Sequence, residues 1–168
     1  MDKKKYKEAL VISDTHGKKK IISDVLKDNP GIDYIFHLGD YDSDMDGVKT
    51  HAKAISVRGN CDFVSENCNT EQVNILGQKI ILTHGHKFGV KYDFSRLLYY
   101  AMEKEAKAIL FGHTHLPYME NKEGIWLINP GSAGEPRDGE GTYAILRIYD
   151  FGIVPKLFKT VKNFDVFY

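Results

Sequence analysis

Residues 9–17, ALVISDTHG, bring an aspartate and a histidine, Asp14 and His16, to the end of a short apolar run. Two residues apart on extended or turning backbone, their side chains can point the same way, so a hard carboxylate oxygen and a borderline imidazole nitrogen can share one divalent ion. A structural reading stands beside this one, with Asp14 capping the next helix and His16 lying in a loop. The pattern then recurs. Residues 34–40 (YIFHLGD) end in Gly39 and Asp40, and residues 54–62 (AISVRGNCD) in Gly59, Asn60, Cys61 and Asp62. Residues 79–86 (KIILTHGH) carry His84 and His86, and residues 108–115 (AILFGHTH) end in Gly112, His113, Thr114 and His115. Apolar runs of this kind read as strands buried on both faces, which hold the side chains at their carboxyl ends firmly in place. The glycines let backbone turn or approach closely.

Taken in order, D-x-H, G-D, G-N-x-D, H-G-H and G-H-T-H resemble the motif set of the calcineurin-like metallophosphoesterase superfamily. The short length, the cysteine in G-N-C-D and residues 129–132 (NPGS) are most similar to its small YfcE-type phosphodiesterases. The resemblance spans residues 10–137. It implies that Asp14, His16 and His115 hold one divalent ion, that Asn60, His84 and His113 hold a second, and that Asp40 bridges them. It also implies a phosphodiesterase that hydrolyses small phosphodiesters through a shared, metal-bridging hydroxide. Oxygen and imidazole ligands without thiolate suit manganese, iron, cobalt, nickel or zinc, and the resemblance favours manganese.

Cys61 departs from the pattern, because much of the superfamily places there a histidine that helps protonate the leaving oxygen. A thiol is a poor substitute acid. Cys61 is read as a metal-proximal thiol, a weak acid or a small residue that opens the pocket, the last being favoured. Asp62, without its imidazole neighbour, anchors the loop, and His86 is a candidate substrate contact or substitute acid. Asn60, Cys61, Asp62 and His86 are therefore the candidate catalytic group. Arg137 is a candidate phosphate or subunit contact.

These residues need elements to position them. Residues 18–29 carry Ile21, Ile22, Val25 and Leu26 at helical spacing before Asn29, Pro30 and Gly31. Lys18 to Lys20 sit at that helix start, where cations oppose the dipole; they read as a solvated end, with phosphate attraction as the alternative. Residues 70–76 and 79–85 read as a hairpin around Gly77 and Gln78. Residues 93–106 read as a second helix. Strands follow over 117–120, 125–128, 142–149 and 153–161, with 131–141 as a long flexible loop. Strand–helix units followed by hairpins, together with the resemblance, imply an α/β (α+β) fold: a four-layer αββα sandwich of two mixed sheets packed face to face with helices outside.

Other side chains read as structural. His37 lies between apolar neighbours and is expected to be packed or hydrogen-bonded rather than a ligand, and His51 to be at the surface. Asp42, Asp44, Asp46 and Gly47 imitate a calcium loop, but its twelfth position is Lys53, a cation, so calcium is rejected and the cluster is expected to be solvated.

The 168 residues suit a single domain, 1–168. Lys plus Arg equals Asp plus Glu at 23 each, which offers no long-range attraction to nucleic acid or to an anionic membrane. The apolar start is too short for a signal core, so a cytoplasmic protein with reduced cysteines is expected; a homo-oligomer stays open. The alternatives are a non-catalytic protein-binding scaffold of the same fold, a phosphomonoesterase, or a nuclease, which would need a DNA-binding region for which there is no room.

Overall fold

The computed structural model describes residues 5–160. In chain order the elements are β1 (Lys7–Ile12), α1 (Lys20–Asp28), β2 (Tyr34–His37), β3 (Lys53–Ser56), β4 (Thr70–Ile75), β5 (Gln78–Thr83), α2 (Ser95–Glu103), β6 (Ala108–Leu110), β7 (Pro117–Lys122), β8 (Ile125–Pro130), β9 (Thr142–Tyr149) and β10 (Gly152–Lys159). They form two mixed five-stranded sheets, ordered β10-β9-β1-β2-β3 and β4-β5-β6-β8-β7. β1, β2 and β3 run parallel in the first sheet, and β5, β6 and β8 in the second.

Alternation along the strands builds the layers. Ala9 and Val11 of β1, Phe36 of β2 and Leu146 of β9 share one buried cluster with Ile80 and Leu82 of β5, Leu110 of β6 and Ile128 of β8. Their sequence neighbours point the other way. Leu10 and Ile35 meet Val25 of α1, while Ile81, Ile109 and Leu127 meet Leu97 and Ala101 of α2. The layers are therefore α1, first sheet, second sheet and α2, the expected αββα sandwich. Each fully buried Leu, Ile or Phe contributes roughly 1.5–3 kcal/mol over exposure, which makes the layer between the sheets a stiff platform for the loops above it.

Several boundaries differ from the sequence reading. α1 begins at Lys20, because Lys18 and Lys19 form a tighter entry turn in which Ile21 N–H donates to Lys18 O (2.9 Å) and Ile22 N–H to Lys19 O (3.1 Å). The hairpin turn is Leu76-Gly77, one residue earlier than expected, with positive φ at both positions (52° and 83°) as a type I′ loop requires. α2 is shorter at both ends: Asp93 Oδ1 accepts from Ser95 N–H (2.7 Å) before it starts, and Glu105 turns left-handed after it. Val161, expected to close the last strand, lies outside the described residues. No helix of the described residues is long and apolar enough to cross a membrane.

Candidate metal centre

The carboxyl ends of β1, β2, β3, β5 and β6 meet at one edge of the sandwich, and the loops that leave them carry all seven expected ligands. Backbone bonds lock neighbouring loops together: Asp14 N–H donates to Gly39 O and Gly112 N–H to His84 O, both at 3.0 Å. Close approach requires glycine at two places. A Cβ on Gly59 would lie 2.2 Å from Asp40 Oδ1, and one on Gly112 would lie 2.1 Å from Ser13 Oγ and 2.7 Å from Asp14 Oδ2. Five of the nine described non-glycine residues with positive φ are Asp14, His16, Asp40, His113 and His115 (46–68°), so backbone strain gathers at these loops.

Asp14, His16, Asp40 and His115 each present one ligand atom within 4.8 Å of the others. Hydrogen bonds fix which atoms face inward. His115 Nδ1 donates to Glu135 O and His84 Nδ1 donates to Leu38 O, each at 2.7 Å, so each ring, when deprotonated to hold a metal, turns the Nε2 lone pair into the site. His115 Nε2 lies 3.1 Å from Asp14 Oδ1, yet that oxygen has no aligned hydrogen bond. His84 Nε2 faces Asn60 Oδ1 at 3.1 Å and Asp40 Oδ1 at 3.5 Å, while His16 Nε2, buried and unpartnered, lies 3.8 Å from Asp40 Oδ2. Lone pairs that converge without intervening protons repel one another unless a cation sits among them, so the donor set fits divalent metal. His113 stands at the margin, its ring centroid 5.1 Å from that of His84 and its N–H on Asp14 Oδ2 (3.2 Å).

The electrostatics agree with this concentration of acceptors. Burial alone would raise the Asp14 pKa, but the close approach of the His115 imidazole, the neighbouring His84 and the Ser13 hydroxyl together bring it below the ordinary carboxylate value. His115 is raised, chiefly by the same contact with Asp14. Burial and then the His84 charge push His113 down to about 4.

The candidate catalytic residues divide by their contacts. Asn60 joins the converging set. Cys61 donates its N–H to Asp40 Oδ1 (2.9 Å), and burial with the Asp40 charge pushes its thiol up to about 11. Asp62 holds loops: its carboxylate accepts from the N–H groups of Asp40 (2.8 Å), Tyr41 (2.7 Å), Asp42 (3.1 Å) and Gly59 (2.7 Å). The His86 ring lies 5.4 Å from that of His84, tilted by 52°, and its buried Nδ1 has no partner.

Other residues position the site without a sequence signal. Buried His37 accepts Gly39 N–H on Nδ1 (3.2 Å), so its Nε2 proton goes to Thr15 Oγ1 (3.0 Å), between Asp14 and His16. Asn129 donates to Gly112 O (2.9 Å), and Ser132 Oγ to Asp14 O (2.8 Å), so the NPGS segment braces two ligand loops. Asp42 and Asp44, expected to be solvated, are buried: Asp44 accepts Gly17 N–H (2.9 Å) and Asp42 accepts Asn67 Nδ2 (2.7 Å). Their partners lie too far along the chain for local composition to show. Lys18 is likewise not a free cation at a helix end, since its ammonium donates to Gly134 O. Arg137 approaches through its backbone, N–H to His115 O (3.4 Å). His51 is exposed, as expected.

Comparison with known proteins gives the same picture. The calcineurin-like phosphoesterase superfamily domain matches residues 8–150. A Bacillus subtilis protein named Probable metallophosphoesterase YsnB is 34% identical over 141 residues, covering 83% of each chain. Phosphodiesterase YfcE of Escherichia coli K12 is 34% identical over 103 residues, 56% of this chain and 52% of that one. Among solved structures, a Streptococcus pneumoniae TIGR4 protein described as a predicted phosphoesterase superposes with TM-score 0.79 at 30% identity, covering 94% of this chain and 92% of that one. Vps29 of Entamoeba histolytica complexed with zinc shares the fold, with TM-score 0.74 at 22% identity over 92% of this chain and 99% of that one.

Proposed function

Since the chain belongs to the calcineurin-like phosphoesterase superfamily, we propose that it is a cytoplasmic, metal-dependent phosphodiesterase that hydrolyses small phosphodiesters at a binuclear centre. Asp14, His16 and His115 would hold one ion, Asn60, His84 and His113 the other, with Asp40 between. The observation that carries this reading is the attitude of Asp40, whose Oδ2 faces His16 (3.8 Å) while its Oδ1 faces His84 (3.5 Å), one oxygen for each set. Two ions so held supply Lewis acidity toward phosphoryl oxygens and lower the pKa of water to about neutral. Manganese is the metal we favour.

The chain's own groups do the rest. The Leu38 and Glu135 carbonyls keep His84 and His115 in the tautomer that turns Nε2 inward. Asp62 binds the Asp40 and Gly59 loops into one unit. His86, whose ring lies 5.4 Å from that of His84, would be the candidate donor to a substrate oxygen. A protein-binding scaffold of the same fold has no use for converging lone pairs, which sets that reading second.

The test is reconstitution. Chelator-stripped protein is reloaded with manganese, iron, cobalt, nickel or zinc, bound metal is counted by mass spectrometry, and hydrolysis of bis(4-nitrophenyl) phosphate is followed. We expect two ions per chain, activity only with metal, and loss of both ions in Asp40→Asn. Stripped protein that works at full rate, or an Asp40→Asn protein that is fully loaded and active, would overturn the proposal.

A further inference from the structure

A cleft of about 840 Å³ opens directly beside the metal centre and shares His16 and Cys61 with it. Its wall includes the aromatic side chains Tyr41 and Phe63 and the acidic side chains Asp46 and Glu66, set among small polar residues and a valine. Phe63 is 85% exposed and Tyr41 44% exposed, so two ring surfaces stand in water next to the reacting centre. The Tyr41 ring lies 5.4 Å from that of His16, which makes the aromatic surface continuous with the site.

The charge of this wall is selective. Asp42 and Asp62 also line the cleft, but their carboxylates are occupied by Asn67 and by four backbone N–H groups. Asp46 and Glu66 are exposed at the rim. No lysine or arginine lines it. Arg58 stays outside the lining and donates to the Asp62 carbonyl at 3.2 Å. A substrate arm with a further phosphate would bring negative charge against two carboxylates without a compensating cation. A flat uncharged ring would cover Phe63 and Tyr41 and meet no such penalty.

We propose that this cleft is the subsite for one ester arm of the substrate, and that it accepts a neutral planar ring, a nucleoside or aryl group that carries no further phosphate. This rests on the phosphodiesterase reading above. It separates the substrate from nucleic-acid strands and polyphosphates, whose arms are charged throughout.

Three dinucleotides with the same scissile linkage test it: TpT, pTpT and TpTp. The reloaded enzyme should cleave TpT at least fivefold more efficiently than whichever of the other two puts its extra phosphate in the cleft. Asp46→Lys combined with Glu66→Lys should remove that difference. Phe63→Ala should weaken calorimetric binding of thymidine monophosphate about tenfold, within the range for a base stacked on an aromatic side chain, while inorganic phosphate binds as before. Phe63 is too exposed for its truncation to endanger the fold. If diesters are cleaved but TpT, pTpT and TpTp react alike, or Phe63→Ala binds the nucleotide unchanged, the subsite is wrong and the phosphodiesterase reading stands. If no diester is cleaved with any metal, the reading itself fails and the subsite falls with it.

Discussion

Cys61 offers the chemistry at the site its most informative single substitution. Its backbone N–H holds Asp40 Oδ1, while its thiol sits between the Asn60 amide (3.5 Å) and the Asp40 carboxylate, so exchanging the side chain keeps the backbone contact with Asp40. An imidazole there could protonate a departing alkoxide, which the thiol does poorly. Acid assistance of this kind is worth about 10²–10⁴-fold. Cys61→His should therefore raise phosphomonoesterase activity most for the poorest leaving groups, with metal content unchanged. kcat/KM across phenyl phosphates of graded phenol pKa reads it; coincident slopes for the two proteins would mean that His86 or no protein group supplies the proton. At this scale the motif resemblance named the seven candidate ligands, and the structure brings their loops to one edge of the sandwich. The sequence hid the groups that aim them, since the Leu38 and Glu135 carbonyls are backbone groups with no mark in the sequence, and the Thr15–His37 bond joins residues 22 positions apart.

Strand ends, rather than helices, give the site its rigidity, and Gly112 is a point of close approach between the two sheets there. It leaves β6 and fits beneath Ser13 and Asp14, which follow β1. Gly112→Ala would force a methyl group into both the Ser13 hydroxyl and the Asp14 carboxylate. The cheaper relaxation moves Asp14, because both sheets behind it are fixed by buried strands. We expect the variant to fold with a near-ultraviolet dichroism spectrum like that of the parent and to bind metal at least tenfold more weakly; unchanged affinity in a metal titration would show that Asp14 is not a ligand. The strands themselves were legible from their apolar runs, and the sandwich from their order. Element ends were less so. The start of α1, the Leu76-Gly77 turn and the left-handed Glu105 depend on backbone angles that apolar periodicity does not report.

On the scale of the whole molecule, the centre is a joint between two sheets. Asp14, His16, Asp40 and Asn60 come from the first, and His84, His113 and His115 from the second, so an ion bound across them ties the sheets together. At a metal concentration 100 times Kd, mass action adds about 2.7 kcal/mol of stability. For a chain of this size that corresponds to roughly 5–11 °C in Tm, at about 2–4 °C per kcal/mol. Acid should erode the gain. The His113 pKa is pushed down to about 4, and that of His37 is lowered chiefly by burial, so the native state refuses protons that the unfolded chain accepts below its ordinary histidine value. The unfolded state then binds more protons, and these two groups make the stripped protein less stable as pH falls from about 6.5 toward 4. His115 acts in the opposite sense: its pKa is raised by Asp14, so its contribution is complete below about 6.5 and is lost as pH rises through the raised value. The loaded protein carries an additional sensitivity, because imidazoles hold metal only when deprotonated. Calorimetric melting of loaded and stripped protein at about pH 5, 6, 7 and 8 should therefore show two separate trends. The stripped Tm should decline on the acid side, and the gap between loaded and stripped Tm should close between about pH 7 and 5. A gap that stays constant over that range would mean that the ions are not held by the histidines of both sheets, and the joint would have to be sought elsewhere.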